Sequence, residues 1–479
     1  MSQRYRVTAH LPVDRTTAFA YHERPGALQR LIPPWENVTV ERSDGSLTVG
    51  SRVVLKQSIF GLPLRWVAEH TDYDPPRLFA DTQVSGPFAK WNHRHEFNVR
   101  SASDHDNGDQ TNSDPNDADR DGECDLIDDI VYRLPGGAAG RLAGGPMARR
   151  TIEAMFAYRH RITADDLALA KRYDVPSMTI AVSGASGMVG RSLCSLLTLL
   201  GHRVRTIVRH PAENGDQIAI WDSPAEAEKL RDVDAVVHLA GRNIAGDRWT
   251  DEVKTQIRES RTLKTSELCE RMASLDVRPK TLVCASAIGI YGDRGDTVMR
   301  ESEPAADDFL GSVAERWESS CDPARDAGVR VVNARFGLIL SADDGALAKS
   351  LFAAKMFGGR LGSGDQWWSW IALDDVVGSI YHAIMTPNIH GPVNCVAPNP
   401  VQNRDFAGQL ARVLNRRALL PAPAFVLRSA LGEMADALLL ASTRVSAEKL
   451  VDSGYQFRFG ELSELLRYTL GRNRLKSEV

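Results

Sequence analysis

Apolar positions change their period once along this chain, and the change divides it. Over residues 3–100 they come in short alternating runs cut by Gly and Pro. The stretch YRVTAHLP alternates and reads as a strand. DRTTAFAYHERPGALQRLIPP follows and reads as short helices opened by Asp14 as N-cap. Five strand-like runs come next: WENVTVERSDG, SRVVLKQSIFG, LRWVAEHTDYDPP, RLFADTQVSGP and KWNHRHEFNV. Residues 101–125 are almost without apolar side chains and cannot bury enough surface to offset their ordering entropy. They predict a loop inside the first domain, because LIDDIVYRLP then resumes the strand pattern. A Gly-rich turn, GGAAGRLAGG, leads into a long helix in which Ile152, Met155, Phe156, Tyr158 and Ile162 recur at helical spacing. One strand, short helices, an antiparallel meander and a long helix predict an α+β unit over residues 1–172, with its acidic loop at 101–123.

A linker at 173–177, YDVPS, precedes the second pattern. MTIAVSG, HRVRTIVR, VDAVVHLAG, KTLVCASAI and VRVVNARFGLIL are continuous apolar strands separated by helical stretches such as MVGRSLCSLLTLLG. Uninterrupted apolar strands alternating with helices predict a parallel sheet covered on both faces, over 178–395. Residues 396–479 read as mostly helical with Pro-rich turns such as LPAPAF, a cap completing the same unit. The expected fold class is α/β: a Rossmann-type doubly wound parallel sheet with a helical C-terminal cap, preceded by the α+β domain.

Composition alters this little. A length of 479 residues fits two or three domains. A net charge of −4 gives no electrostatic reason to expect nucleic acid or an anionic membrane as partner. MSQRYRVTAHLPVDR lacks a signal-peptide core, and no apolar run is long enough to span a bilayer, so a cytoplasmic location is expected. The six cysteines are scattered without paired spacing and read as reduced thiols. In the acidic loop DADRDG, Asp117 to Gly122, matches the first half of a calcium loop. The twelfth position would be Asp128 rather than Glu, and no flanking helices are predicted, so a solvated loop is expected. Trp91, His93, His95 and Phe97 alternate and share one strand face. Two such histidines could ligate a metal, but no third ligand is evident, so no metal is assigned.

The chemistry concentrates in the second domain. AVSGASGMVG carries Gly184-x-x-Gly187-x-x-Gly190 between a strand and a helix. Gly184 allows a tight turn, Gly187 lets backbone approach a pyrophosphate, and Gly190 lets the helix pack on the strand; the helix N-terminus supplies N–H groups and a positive dipole end. The next strand ends TIVRHP, with Arg209 where an NAD-binding site would place an acid. A guanidinium suits a 2′-phosphate, which favours NADP(H) over NAD(H). HLAG, ending the third strand, adds backbone. The expected cofactor residues are Gly184, Ser186, Gly187, Met188, Val189, Gly190, Arg209, Leu239, Ala240 and Gly241.

Over residues 178–475 the chain resembles the extended short-chain dehydrogenase/reductase superfamily, and more closely its atypical epimerase-family branch of NAD-dependent epimerase/dehydratase-like chains. The resemblance rests on SGASGMVGRSLCSLL, HLAGRNIAGDRWT, IRESRTLKTSEL, SAIGIYGDRGD, FLGSVAERWE, RFGLILS, GSGDQWWSWIALDDVV and the motifs from GPVNCVAPNP to SAEKLVDSGYQF. Ala372 departs from the branch, which more often has His there. Residues 1–170, through RPGALQRLIPPWE and GPFAKWNHRHEF, are similar to START-like (SRPBCC, polyketide cyclase-like) helix-grip domains, which implies a cavity for an apolar ligand.

The superfamily's chemistry implies a Ser that holds the substrate oxygen and a Tyr whose pKa is lowered by a Lys four residues on. Ser286 matches the Ser. Leu310 falls where the Tyr belongs and Ala314 where the Lys belongs, in a register supported by Glu318. Tyr291 is the remaining candidate acid/base. An unassisted phenol has a pKa of about 10, so reaching neutrality would take about 4 kcal/mol of phenolate stabilisation. The nearest cations in sequence are Arg294 and Lys264. Gln366 and Trp370, with Trp367, are expected at the substrate pocket. Glu315 and Glu318 read as surface carboxylates, and Asp374 and Asp375 as helix caps. Two functions follow: an NADP(H)-dependent epimerase/dehydratase-like oxidoreductase acting on a small carbonyl or hydroxyl substrate, or a non-catalytic NADP(H)-binding sensor coupled to the START-like domain.

Overall fold

Asp14 opens the first helix as its spacing predicts: its carboxylate accepts from Thr17 N at 2.9 Å. In the computed structural model, residues 2–59, 62–100, 122–342, 347, 358–416 and 420–478 are described. The first unit runs β1 (Gln3–Leu11), α1 (Arg15–Glu23), α2 (Ala27–Leu31), β2 (Val38–Ser43), β3 (Arg52–Ile59), β4 (Leu62–Asp74), β5 (Leu78–Ser85), β6 (Lys90–Val99), β7 (Cys124–Arg133) and α3 (Gly137–Tyr173). The strands form an antiparallel sheet in the order β1-β7-β6-β5-β4-β3-β2. Tyr5, Val7, Trp91, Ile130 and Tyr132 of the sheet pack with Ile152 and Phe156 of α3. The calcium-like stretch lies, apart from Gly122, outside the described residues.

One element differs from expectation. GGAAGRLAGG is not a turn but the opening turns of α3, and Pro146 lies inside that helix. Glycine weakens a helix by about 1 kcal/mol per residue without forbidding it. The buried half of α3, with Ile152, Phe156 and Ile162, fixes the helix, and added residues then propagate it.

The second unit carries β8 (Thr179–Ser183), α4 (Met188–Leu199), β9 (Arg203–Ile207), β10 (Gln217–Ile218), β11 (Ala235–His238), α5 (Asp251–Ala273), β12 (Thr281–Ala287), α6 (Phe309–Ser319), β13 (Arg330–Phe336), α7 (Leu373–Met385) and β14 (Gly391–Cys395). Its sheet is parallel, in the order β10-β9-β8-β11-β12-β13-β14. Every residue of β11 is buried, as a strand covered on both faces requires. The order reverses between β8 and β11, and that switch point is where such sheets bind ligands.

The domain boundaries need one correction. The first unit comprises Met1–Pro176, Thr198–Gly201 and Tyr468–Val479; the second comprises Ser177–Leu197 and His202–Arg467. The last stretch therefore leaves the cap and joins the first unit. Leu475 packs against the Tyr5–Phe156 cluster and its carbonyl accepts from the Tyr5 hydroxyl at 3.0 Å. Among the described residues no helix is long and apolar enough to cross a membrane.

Candidate functional site

β8 runs straight into a turn that only glycine fits comfortably. Gly184 has φ of 70°, and a Cβ there would lie 2.9 Å from Ala240 N and from Leu239 C. Gly190 lies on α4, where a Cβ would meet Gly184 O at 2.2 Å. The strand, the turn and the helix can therefore approach as closely as a pyrophosphate cradle needs. His238, at the end of β11, ties the two loops together. Its Nδ1 lies 2.7 Å from Ser183 Oγ, which also accepts from Leu239 N at 3.1 Å. Burial lowers the His238 pKa to about 4, so the ring is neutral.

A cavity of about 1090 Å³ opens above the switch point. Gly184, Ser186 and Gly187, Arg209, and Leu239 to Gly241, all expected at a cofactor site, line it. Met188, Val189 and Gly190 do not line it; they form the first turn of α4, and Gly190 serves close packing. Arg209 is exposed where β9 ends. Trp221, Arg242, Gln256, Ser260 and Lys264 also line the cavity and were not predicted. Arg242 is already engaged, by Asp247 at 2.6 Å and by Gln256. The glycine cradle, the free N–H groups at the start of α4 and the guanidinium of Arg209 fit a dinucleotide bearing a 2′-phosphate.

A second cavity, of about 230 Å³, is apolar. Ile288, Leu310, Val313, Ala314, Trp367 and Trp368 are among its walls. α5 contributes to both cavities: Gln256 and Ser260 line the first, Ile257 and Arg261 the second. Among the described residues, Arg261 is the one charged residue of these walls. Its guanidinium donates to Arg242 O at 2.9 Å and Ile257 O at 3.1 Å, lies 5.0 Å from the Trp317 ring centroid, and has its pKa lowered by burial to about 10.

Four expected site residues lie elsewhere. Ser286 and Tyr291 are buried, at 2% and 0% exposure, and line neither cavity. Ser286 donates to Glu318 Oε1 at 2.6 Å. Arg335 grips the same carboxylate with two bonds of 2.8 Å and reaches the Tyr291 oxygen from Nη1 at 2.8 Å. Tyr291 in turn donates to Asn394 Oδ1 at 2.7 Å. A cation thus stands beside this phenol, yet burial outweighs it and the Tyr291 pKa is raised. Gln366 donates to the carbonyls of Leu361 and Leu439, and Trp370 donates to Asn399 O; both hold chain turns. Trp367, also expected at the pocket, lines the second cavity together with its neighbour Trp368.

Two carboxylates also depart from expectation. Glu318 is no surface group but the anchor of this ion pair, while Glu315 is exposed. Asp375 caps no helix of its own. It accepts from Arg458 N at 2.7 Å and Phe459 N at 3.1 Å. Strand ends and helix starts are visible in a sequence, but which buried polar groups meet across the cap is not.

This fold and this site define a class: a dinucleotide-binding Rossmann unit of the short-chain dehydrogenase/reductase type, with a helix-grip domain. Comparison with known proteins narrows it. Residues 180–395 match the NAD dependent epimerase/dehydratase family, residues 11–157 match Polyketide cyclase / dehydrase and lipid transport, and residues 422–469 match a domain of unknown function. An epimerase family protein of Mycobacterium bovis is 39% identical over 298 residues, which is 61% of this chain and 98% of that one. A human epimerase family protein is 32% identical over 294 residues, 60% of this chain and 99% of that one. The chain belongs to the NAD-dependent epimerase/dehydratase family. Its fold is similar to a Corynebacterium glutamicum structure described as a nucleoside-diphosphate sugar epimerase. That match has a TM-score of 0.76 and 31% identity over 98% of this chain and 91% of that one. A human epimerase family protein solved with NADPH matches with a TM-score of 0.58 and 30% identity, over 61% of this chain and 99% of that one.

Proposed function

We propose that the second unit binds NADP(H) and holds a small apolar molecule beside it, without the phenol–amine proton relay of catalytic relatives. The observation that carries this reading is Leu310 and Ala314 in the wall of the second cavity. These are the positions where the resemblance puts the Tyr and the Lys, and neither side chain can move a proton. Ser286 and Tyr291 do not compensate, because both are tied into a buried network. The glycine cradle and Arg209 support retained cofactor binding, as does the NADPH-bound human relative. Bound nicotinamide can donate or accept hydride. What this chain's residues supply is a largely apolar seat, with Arg261 held to backbone carbonyls. The best-supported role is therefore cofactor-dependent ligand binding rather than turnover.

The test combines nicotinamide fluorescence with a panel of apolar aldehydes and ketones. NADPH should bind more tightly than NADH, and Arg209→Ala should lose about 10- to 100-fold in NADPH affinity with little change for NADH, as expected for one charged hydrogen-bonded contact. The panel should change the fluorescence of bound NADPH without consuming it. Sustained NADPH oxidation with any panel member would overturn the binding role; an unchanged Arg209→Ala affinity would overturn the cofactor assignment.

A further inference from the structure

The interior of the helix-grip unit holds a polar cluster that the cofactor site does not use. Register builds it. Asp81 on β5 pairs with His93 on β6 and with His70 on β4, and His95 on β6 pairs with Asp128 on β7. Because β6 alternates, His93 and His95 fall on the same inward face. Asp128 is 2% exposed and serves three histidines. His93 Nε2 lies 2.8 Å from its Oδ1, His160 Nε2 from α3 lies 2.6 Å from its Oδ2, and His95 Nδ1 lies 2.7 Å from Oδ1, off the line of an ideal hydrogen bond.

These contacts use the outer nitrogens of His93 and His95. The other nitrogen of each ring faces Asp81: His93 Nδ1 at 3.6 Å and His95 Nε2 at 3.8 Å from Oδ2. Those distances are too long for N–H···O bonds. If Asp128 fixes the N–H on the outer nitrogens, the inner ones present lone pairs towards an anionic oxygen. Acceptors that converge in this way call for a cation between them. The three side chains each offer a ligand atom within 4.8 Å of the others. Ligand atoms around a tetrahedral ion with bonds of about 2.0–2.1 Å sit about 3.3 Å apart, close to the 3.6 and 3.8 Å that separate Asp81 Oδ2 from the two rings. A carboxylate gripping the outer nitrogen of a ligand histidine is the usual support of such sites. Asp81 and His95 keep 17% and 13% of their side-chain surface open, which gives an ion a way in. His70, the strand partner of Asp81, is buried with Nδ1 unpartnered.

We propose that Asp81, His93 and His95 bind a divalent first-row transition metal ion, with Asp128 hydrogen-bonded to the His93 ring and in close contact with that of His95. Two imidazoles and one carboxylate leave coordination positions open for water or a ligand oxygen. The sequence offered the two histidines but not the third ligand, because Asp81 reaches them only through strand pairing.

The experiment uses the full chain, stripped with chelator and titrated with Zn²⁺ against a chromophoric competitor and with Co²⁺ by visible absorption. One equivalent per chain is expected, with visible bands for bound Co²⁺. Asp81→Ala and His93→Ala should lose stoichiometric binding, and Asp128→Asn should weaken it about 10- to 100-fold. Circular dichroism checks folding. Asp81→Asn and His95→Gln, which keep side-chain volume, decide the matter if the alanine variants unfold. Absence of stoichiometric Zn²⁺ or Co²⁺ binding by the wild-type chain would overturn the proposal. So would folded Asp81 and His95 variants that bind as tightly as wild type, which would point to ligands elsewhere, such as the cysteines.

Discussion

Arg335 carries a guanidinium into a part of the second unit where its side chain is only 6% exposed. Such a charge is tolerated because Glu318 meets it with two parallel bonds and Tyr291 takes a third. This gives the tyrosine a structural task, and the task can be separated from catalysis. Tyr291→Phe removes one acceptor from Arg335 and one donor from Asn394. It should lower stability by about 1–3 kcal/mol while leaving NADPH affinity unchanged. Chemical denaturation and cofactor titration on the same variant check both halves, and a variant with native stability but altered cofactor binding would return Tyr291 to the site. Asp375 gives a pH signature. Burial raises its pKa to about 7, against the pull of two backbone N–H groups, Arg458 and the Tyr455 hydroxyl. The folded chain therefore holds a proton that the unfolded chain releases near pH 4. Its contribution is full below that pH and is lost as pH rises towards 7, on the order of 4 kcal/mol by linkage. Thermal midpoints should fall more steeply between pH 4 and 7 in the wild-type chain than in Asp375→Asn. Equal slopes would show that Asp375 stays charged.

At the scale of elements, α4 and β8 work as one unit, and Gly190 is the joint. A methyl group there would stand 2.2 Å from Gly184 O, so the backbone itself must yield. Gly190→Ala should push α4 off the strand, destabilise the chain by about 1–3 kcal/mol and weaken NADPH binding at least tenfold. A variant that binds NADPH normally would show that the cradle does not depend on this approach. The same joint marks what was legible in the sequence. Gly184 to Gly190 announced themselves because strand, turn and helix follow one another along the chain. The parallel sheet was legible for a similar reason, since buried strands such as TLVCAS are apolar throughout. The Gly-rich start of α3 was misread because its helicity is imposed by the packed turns that follow it. Ser286–Glu318–Arg335–Tyr291 could not be read at all. Its members come from β12, α6, β13 and the turn after β12, and only the fold brings them together. The second cavity repeats the point: Trp367 and Trp368 line it while Gln366 and Trp370 do not, and which residues of one short stretch reach a cavity is set by the chain around it rather than by the local sequence.

For the whole molecule, the chain's last residues matter to its first domain. Besides the Leu475 contact, Arg6 N donates to Ser477 Oγ at 3.0 Å and Thr8 N to Glu478 Oε1 at 2.8 Å, both on β1. The free side of β1 at the end of the antiparallel sheet thus has hydrogen-bonding partners, and an uncovered strand edge is a site of non-native pairing. Removing residues 472–479 takes away these bonds and the apolar contact of Leu475. At about 0.5–1.5 kcal/mol for each hydrogen bond, the first unit should lose about 1–3 kcal/mol in stability. The second unit, whose cofactor cavity draws no residue from this stretch, should bind NADPH as before. Calorimetry can separate the two effects: the truncated chain should show one transition lowered by several degrees and one that NADPH still raises. If both transitions fall together, the two units unfold as one and the C-terminal segment stabilises the molecule rather than a domain. If neither moves, the bonds along β1 are replaced by water without loss.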